Sequence, residues 1–195
     1  MNETNISAVF ETKRMFVRRA RVRQEDVDLL FRLWNDPLVM CNVGFPEGLL
    51  ISRDEVEQIL NDNDPGLLDS KLLAVLKQEG VLIGECKLGR PDAKKIAETD
   101  IKLLPEYHNR GLGSELKQGL VDYLFTNTDC MAVRSTPNVN NTASQKMQEY
   151  VGAKKTGRQV YHFPEKMKIP TEPVDHFIYL LDRQTWEKRS QFNLK

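Results

Sequence analysis

Residues 96 to 124 constrain the chain more than any other stretch. Ile96 to Leu104 alternates as a strand does, with Ala97, Thr99, Ile101 and Leu103 on one side and Glu98, Asp100 and Lys102 interleaved. Leu112, Leu116, Leu120, Tyr123 and Leu124 then recur at helical spacing, so the unit reads strand, short loop, helix. Gly111 and Gly113 open that helix, and without a Cβ they let another molecule's backbone or a phosphate come close. The amides of Arg110, Gly111, Leu112, Gly113 and Ser114 fall in the first turn, where they lack intrahelical acceptors and the helix dipole is positive. Arg110 adds a full charge, and no acidic residue intervenes between His108 and Ser114. The segment therefore has the makings of an anion cradle. The alternative is that the two glycines only make a tight strand-to-helix turn.

Two common phosphate motifs are excluded. The chain has no G-x-x-x-x-G-K-[ST], and Gly111-Leu112-Gly113 lacks the third glycine of a dinucleotide fingerprint. Twenty-eight basic residues against 28 acidic argue against nucleic acid as an obligatory partner. Cys41, Cys86 and Cys130 are scattered and odd in number, which fits reduced thiols in a cytoplasmic protein and no zinc site. No apolar run approaches the ~18 residues of a membrane span. The expectation is one domain over residues 1–195, its first eleven residues flexible.

The rest of the chain places elements around the central unit. Arg14, Arg18, Arg19, Arg21 and Arg23 crowd a short strand at Met15 to Val17 and read as a solvated edge, since Glu25, Asp26 and Asp28 follow. Val27, Leu30, Phe31 and Trp34 mark an amphipathic helix ended by Asp36-Pro37. Residues 36–51 read as an irregular apolar loop. Ser52 and Glu55 form a capping box for a second helix, closed by residues 61–66. Two strands joined by Lys77 to Gly80 lead to the central strand. After the long helix come a strand at Cys130 to Ser135 and a helix from Asn141 with an apolar face of Ala143, Met147, Tyr150 and Val151, stopped by Gly152. A strand near Arg158 to Phe163, a Pro-rich loop over residues 164–173 and a strand from Asp175 to Leu181 finish the chain.

His108-Asn109-Arg110-Gly111-Leu112-Gly113 resembles the Q/R-x-x-G-x-G/A pyrophosphate loop of the GCN5-related N-acetyltransferases, with His at the first position. Thr12 to Arg18, Trp34-Asn35-Asp36-Pro37, and Asn141-Thr142-Ala143-Ser144 followed by Gly152 are similar to motifs of its ribosomal-protein alanine N-acetyltransferase branch. The likeness implies a mixed α+β fold. Its mostly antiparallel, twisted sheet of about six to seven strands is flanked by about four helices, and the two central strands splay apart.

The resemblance also implies a reaction and a site. Acetyl-CoA would donate an acetyl group to a primary amine, either a protein N-terminus or a small molecule, in a ternary complex and without a metal. Backbone groups of Ile101 and Leu103 would pair with the pantetheine arm, and Asn141 would contact it from across the cleft. His108, Asn109, Arg110, Gly111, Leu112, Gly113 and Ser114 would hold the pyrophosphate. Glu98 is the candidate general base, with Asp100 as its rival, and Ser144 is a candidate donor of the thiolate's proton. Gln148 stands where many relatives place a tyrosine used as general acid. Met40 and Phe45 are candidate acceptor contacts. The sequence leaves a homodimer open, as it does a non-catalytic acyl-CoA-sensing role.

Overall fold

The structure is a computed structural model and describes residues 7–62, 66–164, 169 and 171–192. Eight strands form one sheet: β1 (Phe10–Glu11), β2 (Met15–Arg19), β3 (Leu72–Leu76), β4 (Leu82–Leu88), β5 (Ile96–Leu103), β6 (Ala132–Ser135), β7 (Lys154–Tyr161) and β8 (Val174–Asp182), ordered β1-β2-β3-β4-β5-β6-β8-β7. All neighbours are antiparallel except β5 and β6. Among the described residues six helices accompany it: α1 (Gln24–Asn35), α2 (Pro37–Met40), α3 (Arg53–Asn61), α4 (Leu112–Asn127), α5 (Thr142–Tyr150) and α6 (Arg183–Phe192). The mixed α+β architecture is as expected, with one strand and two helices more.

Alternation along the strands builds a core on each face. Leu72, Ala74 and Leu76 of β3 join Leu116, Leu120 and Leu124 of α4 on one side, while Leu73 meets Leu30, Leu33 and Trp34 of α1 and Val56 of α3 on the other. The capping box forms, with Glu55 N–H on Ser52 Oγ and Ser52 N–H on the Glu55 carboxylate. Gly84 is required by close strand approach, since a Cβ there would lie 2.3 Å from the Lys102 carbonyl oxygen.

The extra elements have weak sequence signals. β1 is only two residues long. α6 is mostly polar and is anchored by Trp186, whose ring lies 5.1 Å from Phe125 and whose Nε1 donates to Asp122. Part of the 36–51 segment is helical, because Asp36 caps α2 and a 3-10 turn at Cys41–Val43 follows. β7 starts four residues before the expected position. Residues 1–6 of the expected flexible start, 63–65 of the helix-closing stretch, and 165–168 and 170 of the Pro-rich loop lie outside the described residues.

Arg18 corrects the expectation of a solvated arginine edge. It is buried, and its guanidinium donates to both oxygens of buried Asp26 at 2.8 and 2.5 Å, tying β2 to α1. Burial is compensated because fork and carboxylate match.

The parallel seam positions the site. β5 and β6 pair only at Ile96–Ala132, Ala97–Val133 and Glu98–Arg134. Beyond that point they diverge, leaving a wedge between the central strands.

Candidate active site

The wedge exposes one edge of β5. Gly89 N–H bonds the Glu98 carbonyl and Leu104 N–H bonds that of Ile83, so the even-numbered residues direct their backbone groups toward β4. Thr99, Ile101 and Leu103 direct theirs into the wedge, an arrangement suited to a ligand lying like an extra strand. The cavity there measures about 170 Å³ and includes Ile101, Asn141, Ser144 and Gln148 in its walls. Asn141 Oδ1 caps α5 by accepting from Ser144 N–H at 2.9 Å. His108 Nε2 bonds the Leu103 carbonyl at 2.9 Å, so the histidine secures the end of β5.

The cradle stands at the start of α4. Asn109 and Gly111 are left-handed, with φ of 58° and 72°. The turn presents the amides of Leu112, Gly113 and Ser114 as the helix begins. A Cβ on Gly113 would press on Met147 Sδ at 3.3 Å, whereas one on Gly111 would meet only Arg14 Nη2, at 3.5 Å. Arg110 lies over the Tyr107 ring. The cradle also includes a cation that motif reading assigned elsewhere. Arg14 donates from Nη1 to the Arg110 carbonyl at 2.9 Å and from Nε to Glu115 at 2.6 Å. Glu115, in the first turn of α4, is thereby neutralised by Arg14.

At the vertex, Lys117 reaches up from α4. Its Nζ bonds Thr99 Oγ1 at 2.5 Å and Ser135 Oγ at 2.6 Å, bridging the first residues beyond the paired seam. Lys117 is 2% exposed, and burial pulls its pKa from 10.5 to about 7 against the opposing pull of Asp100. Gln148 also lines the wedge. It is buried, and its Oε1 has no hydrogen-bond partner among the described residues. Of the apolar face expected for α5, Val151 is buried and Met147 half-buried as read, whereas Ala143 and Tyr150 are exposed, because the inner side of this helix also covers a polar wedge. The i, i+4 step from Ser144 to Gln148 marks that side.

A second cavity of about 740 Å³ adjoins the wedge, sharing Asn42, Val43, Lys102 and Thr136 with it, and is bounded by Met40, Phe45, Tyr161 and Phe163 among others. Phe45 packs on Phe163 at 5.0 Å, which joins the 36–51 segment to the far end of the sheet. Glu98 lies at this cleft, while Asp100 lines the wedge and is held by Lys102. Arg134 places both its contacts on Glu98 Oε1, at 2.7 and 2.6 Å. Glu85, missed in the sequence, is buried at the cleft floor and accepts from Trp34 Nε1 at 2.5 Å and Lys71 Nζ at 3.2 Å. Burial works against the Lys102 ammonium, but Glu85 and Asp100 outweigh it and hold its pKa above the usual lysine value. Cys86 and Cys130 are buried and Cys41 is exposed.

A wedge with a free strand edge, a glycine-rich helix start at one end and an adjoining cleft suit transfer between two substrates. The family model for the acetyltransferase (GNAT) domain matches residues 14–154, well over half of the chain. The chain belongs to the GNAT acetyltransferases. As a GNAT enzyme it is an N-acyltransferase with acetyl-CoA as co-substrate. It is 27% identical over 149 residues to the uncharacterized N-acetyltransferase p20 of Bacillus licheniformis, a match covering 75% of this chain and 82% of p20. To the uncharacterized N-acetyltransferase YnaD of Bacillus subtilis it is 23% identical over 175 residues, covering 90% and 97%. Among solved structures, its fold is similar to that of the spermidine N-acetyltransferase from Vibrio cholerae in complex with CoA and spermine. That likeness has a TM-score of 0.73 at 20% identity and covers 89% of this chain and 98% of the other.

Proposed function

We propose that this GNAT enzyme acetylates a primary amine borne on an apolar body with no second positive charge. The observation that carries the proposal is the pairing of every carboxylate at the cleft among the described residues. Glu98 is engaged by Arg134, and Glu85 by Lys71 and Trp34. Lys102 is taken by Asp100 in the same way, so the cleft has no unpaired carboxylate left to receive a second positive charge. Met40, Phe45, Tyr161 and Phe163 offer apolar contact instead. An aromatic monoamine meets this requirement, as does a protein N-terminus with a small apolar first residue, the acceptor type suggested by the alanine-acetyltransferase motifs.

In the proposed reaction the pantetheine arm lies in the wedge along Ile101 and Leu103. Its pyrophosphate rests on the turn from Asn109 to Ser114, with Arg110 and Arg14 at the rim. Asn141 flanks the arm, and an arm amide N–H supplies the donor that Gln148 Oε1 lacks. His108 acts indirectly, by fixing the Leu103 carbonyl. Glu98 Oε2, with no hydrogen bond among the described residues, takes a proton from the incoming ammonium. The neutral nitrogen attacks the thioester carbonyl carbon, the C–S bond breaks, and the thiolate is protonated from the Ser144 side.

The test is thiol release from acetyl-CoA with phenethylamine, an Ala-initiated peptide, spermidine and kanamycin. Phenethylamine or the peptide should exceed both polycations in kcat/KM by ~10-fold or more, because a ~1.4 kcal/mol charge mismatch already accounts for that ratio. Preference for spermidine or kanamycin would refute the acceptor class. Unchanged acetyl-CoA affinity in folded Gly111→Val would move the donor site elsewhere.

A further inference from the structure

We propose that the vertex of the wedge is a carboxylate subsite, formed by Lys117, Thr99 and Ser135, that admits CoA thioesters of short dicarboxylic acids as donors beside acetyl-CoA. This rests on the donor arm lying in the wedge, as proposed above. An arm that starts at the α4 cradle and follows Leu103 and Ile101 runs toward Thr99, so its acyl end meets the vertex. A methyl group there faces an ammonium and two hydroxyls. A terminal carboxylate instead finds a cation and two O–H donors.

Charge balance favours the anion. The charged side chains lining the wedge are Asp100, Lys102 and Lys117. Asp100 is salt-bridged to Lys102 and supports the Lys117 ammonium only through its field, while the direct partners of Lys117 among the described residues are two hydroxyls. A buried cation without a counter-ion in contact is costly, and one anion at the vertex removes that cost. Asp100 repels the incoming carboxylate, so its pairing with Lys102 is a condition of the subsite. The chemistry is unchanged: the amine forms a bond to the thioester carbonyl carbon, the C–S bond breaks, CoA thiol leaves with a proton, and the distal carboxylate stays a spectator. The product is an amide ending in a carboxylate.

Calorimetry with CoA, acetyl-CoA and malonyl-CoA separates this inference from the donor-site proposal. Wild-type protein should bind malonyl-CoA ~10-fold or more tighter than acetyl-CoA, because the charge-assisted bond is made only by the former. Lys117→Met should erase that preference while leaving CoA affinity within about twofold. Ser135→Ala, which keeps the ammonium, should reduce it partly. Equal or weaker malonyl-CoA binding in the wild type overturns the subsite but leaves the donor site standing, as does a preference that survives Lys117→Met. Failure of CoA itself to bind overturns both.

Discussion

Replacing Lys117 by methionine should make the protein more stable in mild acid, although it removes two hydrogen bonds. The folded Lys117 has a pKa of about 7 against 10.5 for the ordinary side chain. Each unit corresponds to about 1.4 kcal/mol, so keeping the group charged in the fold at pH 6 costs roughly 5 kcal/mol. Between pH 7 and 10.5 the unfolded chain holds a proton that the folded protein has released. The contribution of Lys117 to wild-type stability therefore rises with pH across this window by up to about 1.4 kcal/mol per unit. Methionine removes the penalty and leaves Thr99 and Ser135 without their shared partner, a loss of about 2 kcal/mol in all. The variant should thus exceed the wild type by about 3 kcal/mol at pH 6 and fall below it near pH 10. Burial also raises the thiol pKa values of Cys86 and Cys130, which lowers stability at high pH, but this contribution is common to both proteins and cancels in the comparison. Urea unfolding at four or five pH values measures the difference. Parallel stability curves would refute the idea of an ammonium without a counter-ion in contact.

Asp26→Ala strands Arg18 in the core and should cost about 3–5 kcal/mol in urea unfolding, with no dependence on acetyl-CoA concentration beyond ordinary linkage. Glu98→Gln should lower turnover ~10²–10⁴-fold at neutral pH with acetyl-CoA affinity unchanged, and part of the loss should return at higher pH as free amine accumulates; wild-type turnover throughout would remove the base role. Phe45→Ala opens the aromatic wall and should raise KM for an aromatic amine while sparing acetyl-CoA binding measured by calorimetry.

The cradle was legible because its determinants are local: glycines, amides and a helix start all lie within a few residues. The wedge could be anticipated only through the resemblance, since strand parity fixes which groups share a side and not where two strands part. Lys117 was hidden among the leucines of α4, although its place four residues after Gly113 and four before Val121 puts it on an inward stripe. Glu85 and Arg18 were hidden for the opposite reason. Each is a charged residue whose burial depends on a partner remote in the chain or on the neighbouring helix, and composition along one strand contains no record of that partner. The face of α5 was legible at Met147 and Val151 but not at Gln148, because burial there follows a polar cavity, which an apolar count overlooks.

The short seam between β5 and β6 has a consequence for folding cooperativity. Among the described residues, three residue pairs make up the backbone ladder between strands β1 to β5 and the trio of β6, β8 and β7. Each group keeps its own ladder if the seam opens, so amide exchange can report two separately breathing leaves. A ligand that bonds Ile101 and Leu103 on one leaf while touching Asn141 beyond the other extends the seam and couples their fluctuations. With its arm in the proposed pose, the co-substrate would serve as a removable stitch, and departure of CoA would return the sheet to a looser state.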